Sequence, residues 1–160
     1  MLAEMKQLVK EKGICVMATL AGGKPHCSLM AYAANDEGTE IYMATLRSTK
    51  KFRNITENPA VSLLVDTREE ASHRSTARAL TIEGVCLRVE DDRKKHWARD
   101  RLLGKHPHIE EFVTNSDCEI LCVKIQSFLL LKGLTEAYFA TLEPISPEGA
   151  IHRDTNLSSH

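Results

Sequence analysis

Apolar positions along the 160-residue chain change period several times, and each change marks an element. Leu2, Met5, Leu8 and Val9 recur at helical spacing, and Gly13 stands where a left-handed cap would end that helix. From Ile14 to Ala21 the period drops to two: Ile14, Val16, Ala18 and Leu20 alternate with Cys15, Met17 and Thr19. Gly22-Gly23-Lys24-Pro25 is a turn signal, so His26–Ala33 is predicted to return as the antiparallel partner. A second turn, Asn35-Asp36-Glu37-Gly38, leads into a third strand at Ile41–Thr45. Phe52 and Ile55, three apart, place a short helix over Lys50–Glu57, which Pro59 closes. Ala60–Asp66 is rich in strand formers. The polar stretch Thr67–Ala77, with Arg68, His73 and Arg74 around Glu69-Glu70, reads as a mobile loop. Ala79–Glu90 reads as a long strand with a bend or bulge at Gly84. Asp91-Asp92 caps a helix over Arg93–Leu103, His106-Pro107 breaks it, and Ile109–Val113 adds one more helical turn. Cys118–Ile125 and Phe128–Lys132 are predicted as two further strands, with bends at Ser127 and Gly133.

Six or seven strands in adjacent hairpins, with helices inserted between some of them, predict a mainly β protein: a small closed β-barrel with helical excursions. A doubly wound parallel sheet is disfavoured, because crossover helices do not alternate with the strands. Neither G-x-G-x-x-G nor a Walker A sequence is present. From Pro144 periodicity is lost, so residues 1–143 are expected to form the domain and 144–160 a tail, loosely held or packed on a partner.

Charge narrows the functional classes. The formal net charge is −1, so no global field recruits nucleic acid or an acidic membrane, and any preference for anions must be local. No apolar run reaches the roughly 18–20 residues that span a bilayer. MLAEMKQLVKEKG mixes acids and bases where a signal peptide needs its apolar core. Five scattered cysteines do not form a secreted disulfide framework, which leads to the expectation of a reducing cytoplasm.

The densest candidate chemistry lies in EIYMATLRSTKKFRNITENP, residues 40–59. A strand gives way to Arg47-Ser48-Thr49-Lys50-Lys51 and then to a helix. Two hydroxyls and three cations at the positive end of a helix are suited to a phosphate dianion. His106-x-His108 and Cys118-x-x-x-Cys122 invite a metal reading, but no second pair stands at zinc-finger spacing and no metal is expected. The histidines flank a proline in a helix break and are predicted to be solvent-exposed.

Four stretches together resemble the FMN-binding split β-barrel superfamily of the pyridoxamine 5′-phosphate oxidases. ICVMATLAGGKPHCSLMAY is like its opening hairpin, and EIYMATLRSTKKFRNITENPAVSLLVD repeats its strand, Ser-x-Lys, helix, Asn-Pro and strand. ARALTIEGVCLRVED is similar to its R-x-x-x-x-x-G strand, and LLGKHPHIEEF looks like the haem-utilisation and related flavin-binding branches. The resemblance implies a split β-barrel, antiparallel and Greek-key-like, forming a homodimer with FMN at the subunit interface. It further implies that Ser48 and Lys50, with Arg47, Thr49 and Lys51 around them, hold the FMN phosphate. Ala44 and Thr45 would lie along the flavin ring, Ser28 would contact it from the hairpin, and Arg78 would reach it from the other subunit. Two features of the true oxidases are missing: an Arg near the Ser28 position and the C-terminal Arg- and His-containing signature that holds their vitamin substrate. The expected function is therefore that of an FMN-dependent oxidoreductase, not a true pyridoxamine 5′-phosphate oxidase, passing electrons from a donor such as NAD(P)H to a small acceptor. The rivals are a haem-binding or haem-degrading barrel, with His152 as a candidate ligand, a non-enzymatic flavin carrier, and a dimeric interaction protein.

Overall fold

The computed structural model describes residues 1–142, so the tail and His152 lie outside the described residues. The first helix, α1 (Leu2–Glu11), buries Met5, Leu8 and Val9. It ends without a left-handed residue: Lys12 is extended and its N–H bonds the Leu8 carbonyl. Gly13 serves close approach instead, since a Cβ there would stand 3.0 Å from His106 Cε1 and from Lys105 Cε.

The hairpin of β1 (Ile14–Ala21) and β2 (Lys24–Ala31) turns on Gly22 and Gly23 at φ 57° and 73°, the left-handed pair that a tight two-residue hairpin requires. Pairing resumes at once with Ala21 opposite Lys24, two residues before the predicted start. Beyond Tyr32 comes the two-residue β3 (Ala33–Ala34), then β4 (Glu40–Leu46), α2 (Lys50–Glu57), β5 (Ala60–Asp66) and β6 (Arg78–Arg88). Within the predicted loop, Arg74–Thr76 forms a 3-10 turn. The Asp91 carboxylate accepts from the Lys94 N–H at 3.0 Å and caps α3 (Asp92–Lys105). A 3-10 turn at Pro107–Ile109 leads into α4 (Glu110–Thr114), followed by β7 (Cys118–Lys132) and β8 (Glu136–Thr141).

All strand pairs are antiparallel, in the order β2-β1-β5-β6-β7-β4-β3 with β8 also on β7. Because β2 runs through Tyr32 into β3, the two ends of that order are one piece of chain and the sheet curls into a split barrel. Two strand expectations are corrected. The predicted strands Cys118–Ile125 and Phe128–Lys132 are one strand: the register slips between Glu83 and Gly84, leaving Gln126 as an extra residue while the ladder continues past it. The strand β8 was not anticipated. Ala137, Phe139 and Tyr138 are apolar on both faces, so period two is hidden.

Met17, Leu63, Val65, Ile82, Phe128 and Leu130 fill the barrel interior together with the apolar face of α1. A second core lies outside the barrel wall, where Ala98, Leu102 and Val113 of the α3–α4 excursion cover Tyr42, Ile120 and Cys122. His106 caps the end of α3, beside Gly13. Contrary to the expectation of exposure it is buried, its Nε2 2.9 Å from the Tyr32 carbonyl, whereas His108 is exposed. Among the described residues no helix is long and apolar enough to cross a membrane.

Candidate functional site

Position along a strand decides which way its backbone groups face. In an antiparallel pair, opposed residues alternate between exchanging both hydrogen bonds and exchanging none. The Tyr32 N–H donates to the Gly13 carbonyl, so Tyr32, Met30 and Ser28 are the residues of β2 bonded to β1. Leu29 and Ala31 therefore turn their N–H and C=O away from β1. On β4, the Arg47 N–H donates to the Asp117 carbonyl, which commits Arg47, Thr45 and Met43 to β7 and turns Ala44 and Leu46 the other way. These two outward edges face each other. The β3–β4 ladder pairs Ala34 with Ile41 and Ala33 with Tyr42. Its next rungs would set Ala31 against Ala44 and Leu29 against Leu46. The pairing stops before them, and the barrel splits open there.

A cavity of about 220 Å³ occupies the split, lined by Leu29, Met30 and Ala31, by Ala44, Thr45 and Leu46, by Thr49 and Lys51, and by Ile109 and Phe112. Its floor is thus two strand edges with hydrogen-bonding capacity to spare, and one end is the start of α2.

That helix start is locally encoded. Thr49 is extended (φ −78°, ψ 152°) and its hydroxyl accepts from the Phe52 N–H at 3.3 Å. The same hydroxyl is 2.9 Å from the Leu46 carbonyl, which can only accept, so its single proton is spent there. In the 3.0 Å contact between Thr45 and Thr49 the donor must then be Thr45, whose side chain is fully buried. The Asn54 amide donates to the Thr19 hydroxyl at 3.1 Å and ties α2 to β1. In the first turn, the N–H groups of Lys50 and Lys51 have no intrahelical acceptor and remain open to an anion. Thr49→Ala is expected to lower stability by about 1 kcal/mol, with Thr49→Ser close to wild type, as read from urea midpoints. An unchanged midpoint for the alanine variant would show that the cap contributes nothing.

The sequence-predicted residues divide into groups. Ala44, Thr45, Thr49 and Lys51 line the cleft. Ser48 and Lys50 stand exposed in the turn at its end. Ser28 is half-buried on β2, one residue before the cleft wall and opposite Met17. Arg47 is engaged elsewhere: its Nε lies 3.0 Å from Glu119 Oε1, and it donates to the Ser116 carbonyl at 2.7 Å. Arg88 holds the other oxygen of the same carboxylate at 2.9 Å, and Glu119 is buried. Losing either arginine would weaken the pairing of a buried charge, a costly state. Arg47 is therefore a clamp between the turn and β7, while Lys50 and Lys51 make no ion pair among the described residues.

Arg78 is far away within one chain. It opposes Lys132 at one end of β7, whereas Leu46 opposes Cys118 at the other, a strand length on the order of 45 Å. Its guanidinium sits 3.3 Å from Glu4, which Lys132 contacts at 2.9 Å. The Lys132 hydrogen bond, with Arg78 adding to it, holds the Glu4 carboxyl below its ordinary value. Within one chain Arg78 therefore stands apart from the turn.

Sequence reasoning missed the outer wall of the cleft. Ile109 and Phe112 are three apart, which is visible in the sequence, but helical spacing does not say which surface such a pair borders. It also missed the open edges of Leu29 and Ala31, which depend on the register of two separate ladders.

Residues 1–132 match the pyridoxamine 5′-phosphate oxidase family model. No curated protein matches the chain by sequence. Among solved structures, a haem-binding protein from Mycobacterium smegmatis is similar with a TM-score of 0.77 and 20% identity over 86% of this chain, which spans 56% of that protein. The haem storage protein HutZ from Vibrio cholerae gives a TM-score of 0.68 and 21% identity over 82% of this chain and 93% of that one. An FAD-binding protein from Mesorhizobium loti gives 0.66 and 18% over 81% and 93%. At such identities these likenesses establish the fold alone. The fold is a split barrel and the family match covers most of the sequence, so the chain belongs to the pyridoxamine 5′-phosphate oxidase family.

Proposed function

We propose that the protein is an FMN-binding flavoprotein with an oxidoreductase role, its phosphate group held at the start of α2 and its ring in the split between β2 and β4. The observation that carries this reading is the coincidence of the cleft with the helix start: open strand edges, the free N–H groups of the first turn and the Lys51 side chain border one cavity. Ser48, Lys50 and Lys51 would hold the phosphate, with Thr49 shaping the turn. FMN, when bound, supplies the redox chemistry between a reduced donor such as NAD(P)H and a small acceptor; the chain binds it, orients it and limits its contact with water.

A cavity of about 220 Å³ is smaller than the roughly 300–1,000 Å³ typical of a ligand pocket. A second copy is the proposed remaining cover. The outer sheet face supports this, because directly paired residues share a face. Leu29, Val16, Leu64, Thr81, Leu129 and Phe139 follow one another across six strands. Leu29 is 75% exposed and Phe139 67%. Leu29 borders both this face and the cleft, and a homodimer closed over it would set the two flavins at the interface. All five cysteines are free, in keeping with the proposal of a reducing cytoplasm.

Haem binding is a second reading, and two similar structures favour it, since those proteins are haem proteins. The absorption spectrum of the purified full chain, with its mass in solution, tests both readings. Flavin bands on a dimer are the expected result. A Soret band would replace the first reading with the second. A colourless protein that takes up neither group would overturn both, and a monomer that still binds FMN would refute the shared site.

A further inference from the structure

The wall of the cleft that comes from outside the barrel plays no part in the phosphate argument. Ile109, at the end of the 3-10 turn, and Phe112, in α4, line it three residues apart. Their placement is firm. Val113, next to Phe112, is fully buried in the second core with Ala98 and Leu102, which docks α4 against the barrel wall. Phe112 nevertheless remains 40% exposed. A single exposed aromatic is ordinary on a protein surface. This one stands on the rim of a cavity whose other walls include Ala31 and Ala44, whose side chains are single methyl groups. A gap bordered by an aromatic ring, two single-methyl side chains and open backbone edges fits a flat ligand. The ligand's polar rim would meet the strand edges, and its face would meet the phenyl ring. A phosphate has no use for a phenyl ring; a planar heteroaromatic does. Phe112 also borders a more open groove with His108, Glu111 and Asn115. Phe112 and Ile109 thus border both the cleft and the open groove beside it.

We propose that Phe112, backed by Ile109, is the ring-covering residue of the cleft. It gives the site its preference for a planar heteroaromatic ligand, shields that ligand's face from water and takes no part in holding the phosphate. The proposal rests on the flavin reading above and gives a role to Phe112, to which the resemblance of LLGKHPHIEEF assigns none.

The test uses the full-length protein and four forms: wild type, Phe112→Ala, Phe112→Tyr and Phe112→Trp. FMN affinity is read from flavin fluorescence, water access from quenching of bound flavin by iodide, and the phosphate subsite from competition by inorganic phosphate. Phe112→Ala is expected to weaken FMN about tenfold and to raise iodide quenching, while the competition constant of inorganic phosphate stays at the wild-type value. Phe112→Tyr and Phe112→Trp should restore both affinity and shielding. If Phe112→Ala binds FMN as wild type does, with equal iodide access, the proposal fails while the flavin reading stands. Equal weakening of FMN and inorganic phosphate would also overturn it, since the side chain would then act on the shape of the whole site. A wild-type protein that takes up no FMN overturns the flavin reading, and this proposal with it.

Discussion

Replacing Gly84 by alanine is expected to destabilise the barrel by about 3 kcal/mol, the upper part of the range for forcing atoms into a packed site. The reason is steric. A Cβ at Gly84 would lie 2.5 Å from the Lys124 carbonyl oxygen and 2.9 Å from Val123 Cγ1. The carbonyl belongs to the facing strand and cannot rotate away as a side-chain tip would. Gly84 also sits where the β6–β7 register slips, so the backbone that would have to move is the one that carries β7 past its extra residue. Gly104 is the control. It lies within α3 with nothing inside 4 Å of its added Cβ, so Gly104→Ala should leave stability unchanged or raise it by up to about 1 kcal/mol. Urea unfolding of the two variants, with midpoints compared at equal slope, separates packing from helix propensity. A Gly84→Ala midpoint equal to wild type would mean that the two strands can part at the bulge without cost.

The second large effect concerns the ligand. Ser48→Ala combined with Lys50→Ala should weaken FMN binding by about 3 kcal/mol, more than two orders of magnitude in Kd, because two hydrogen bonds to a charged group are lost. Both side chains stand exposed in the turn, so folding should be spared and the unfolding midpoint should move little. Arg47→Ala provides the contrast. Its guanidinium is held by Glu119 and the Ser116 carbonyl, so its loss should register mainly in stability and only weakly in FMN affinity. An FMN Kd unchanged in the double variant would remove the phosphate from this turn. A large affinity loss in Arg47→Ala would show that the arginine leaves Glu119 when the ligand arrives.

Much of the barrel was legible because its signals are local. Gly22-Gly23 names its own turn, since only residues tolerant of positive φ close so tight a hairpin. Asp91 announces α3, because a cap is a contact between residues three apart, and Phe52 and Ile55 announce α2 by their helical spacing. The bend at Gly84 was readable as a missing side chain in a long apolar run. The merging of Cys118–Ile125 with Phe128–Lys132 was not. Ser127 reads as a bend, whereas the ladder with β6 holds one strand together across it. The exposed reading of His106 failed for a similar reason. A histidine beside a proline in a helix break has no local cue that the Tyr32 carbonyl waits 74 residues away in sequence.

The chain by itself determined its turns, its caps, the alternation of its strands and the motif that marks the family, because each is settled by residues a few positions apart. Tertiary structure decided the site. It decided that Arg47 is spent on Glu119 while Lys51 borders the cleft, since an ion pair across 72 positions depends on which strands meet. It decided where the barrel splits, since an open strand edge exists only relative to the ladder that stops short of it. And it brought Phe112 to the rim of that split, because the docking of α4 through Val113 is a matter of packing between distant segments.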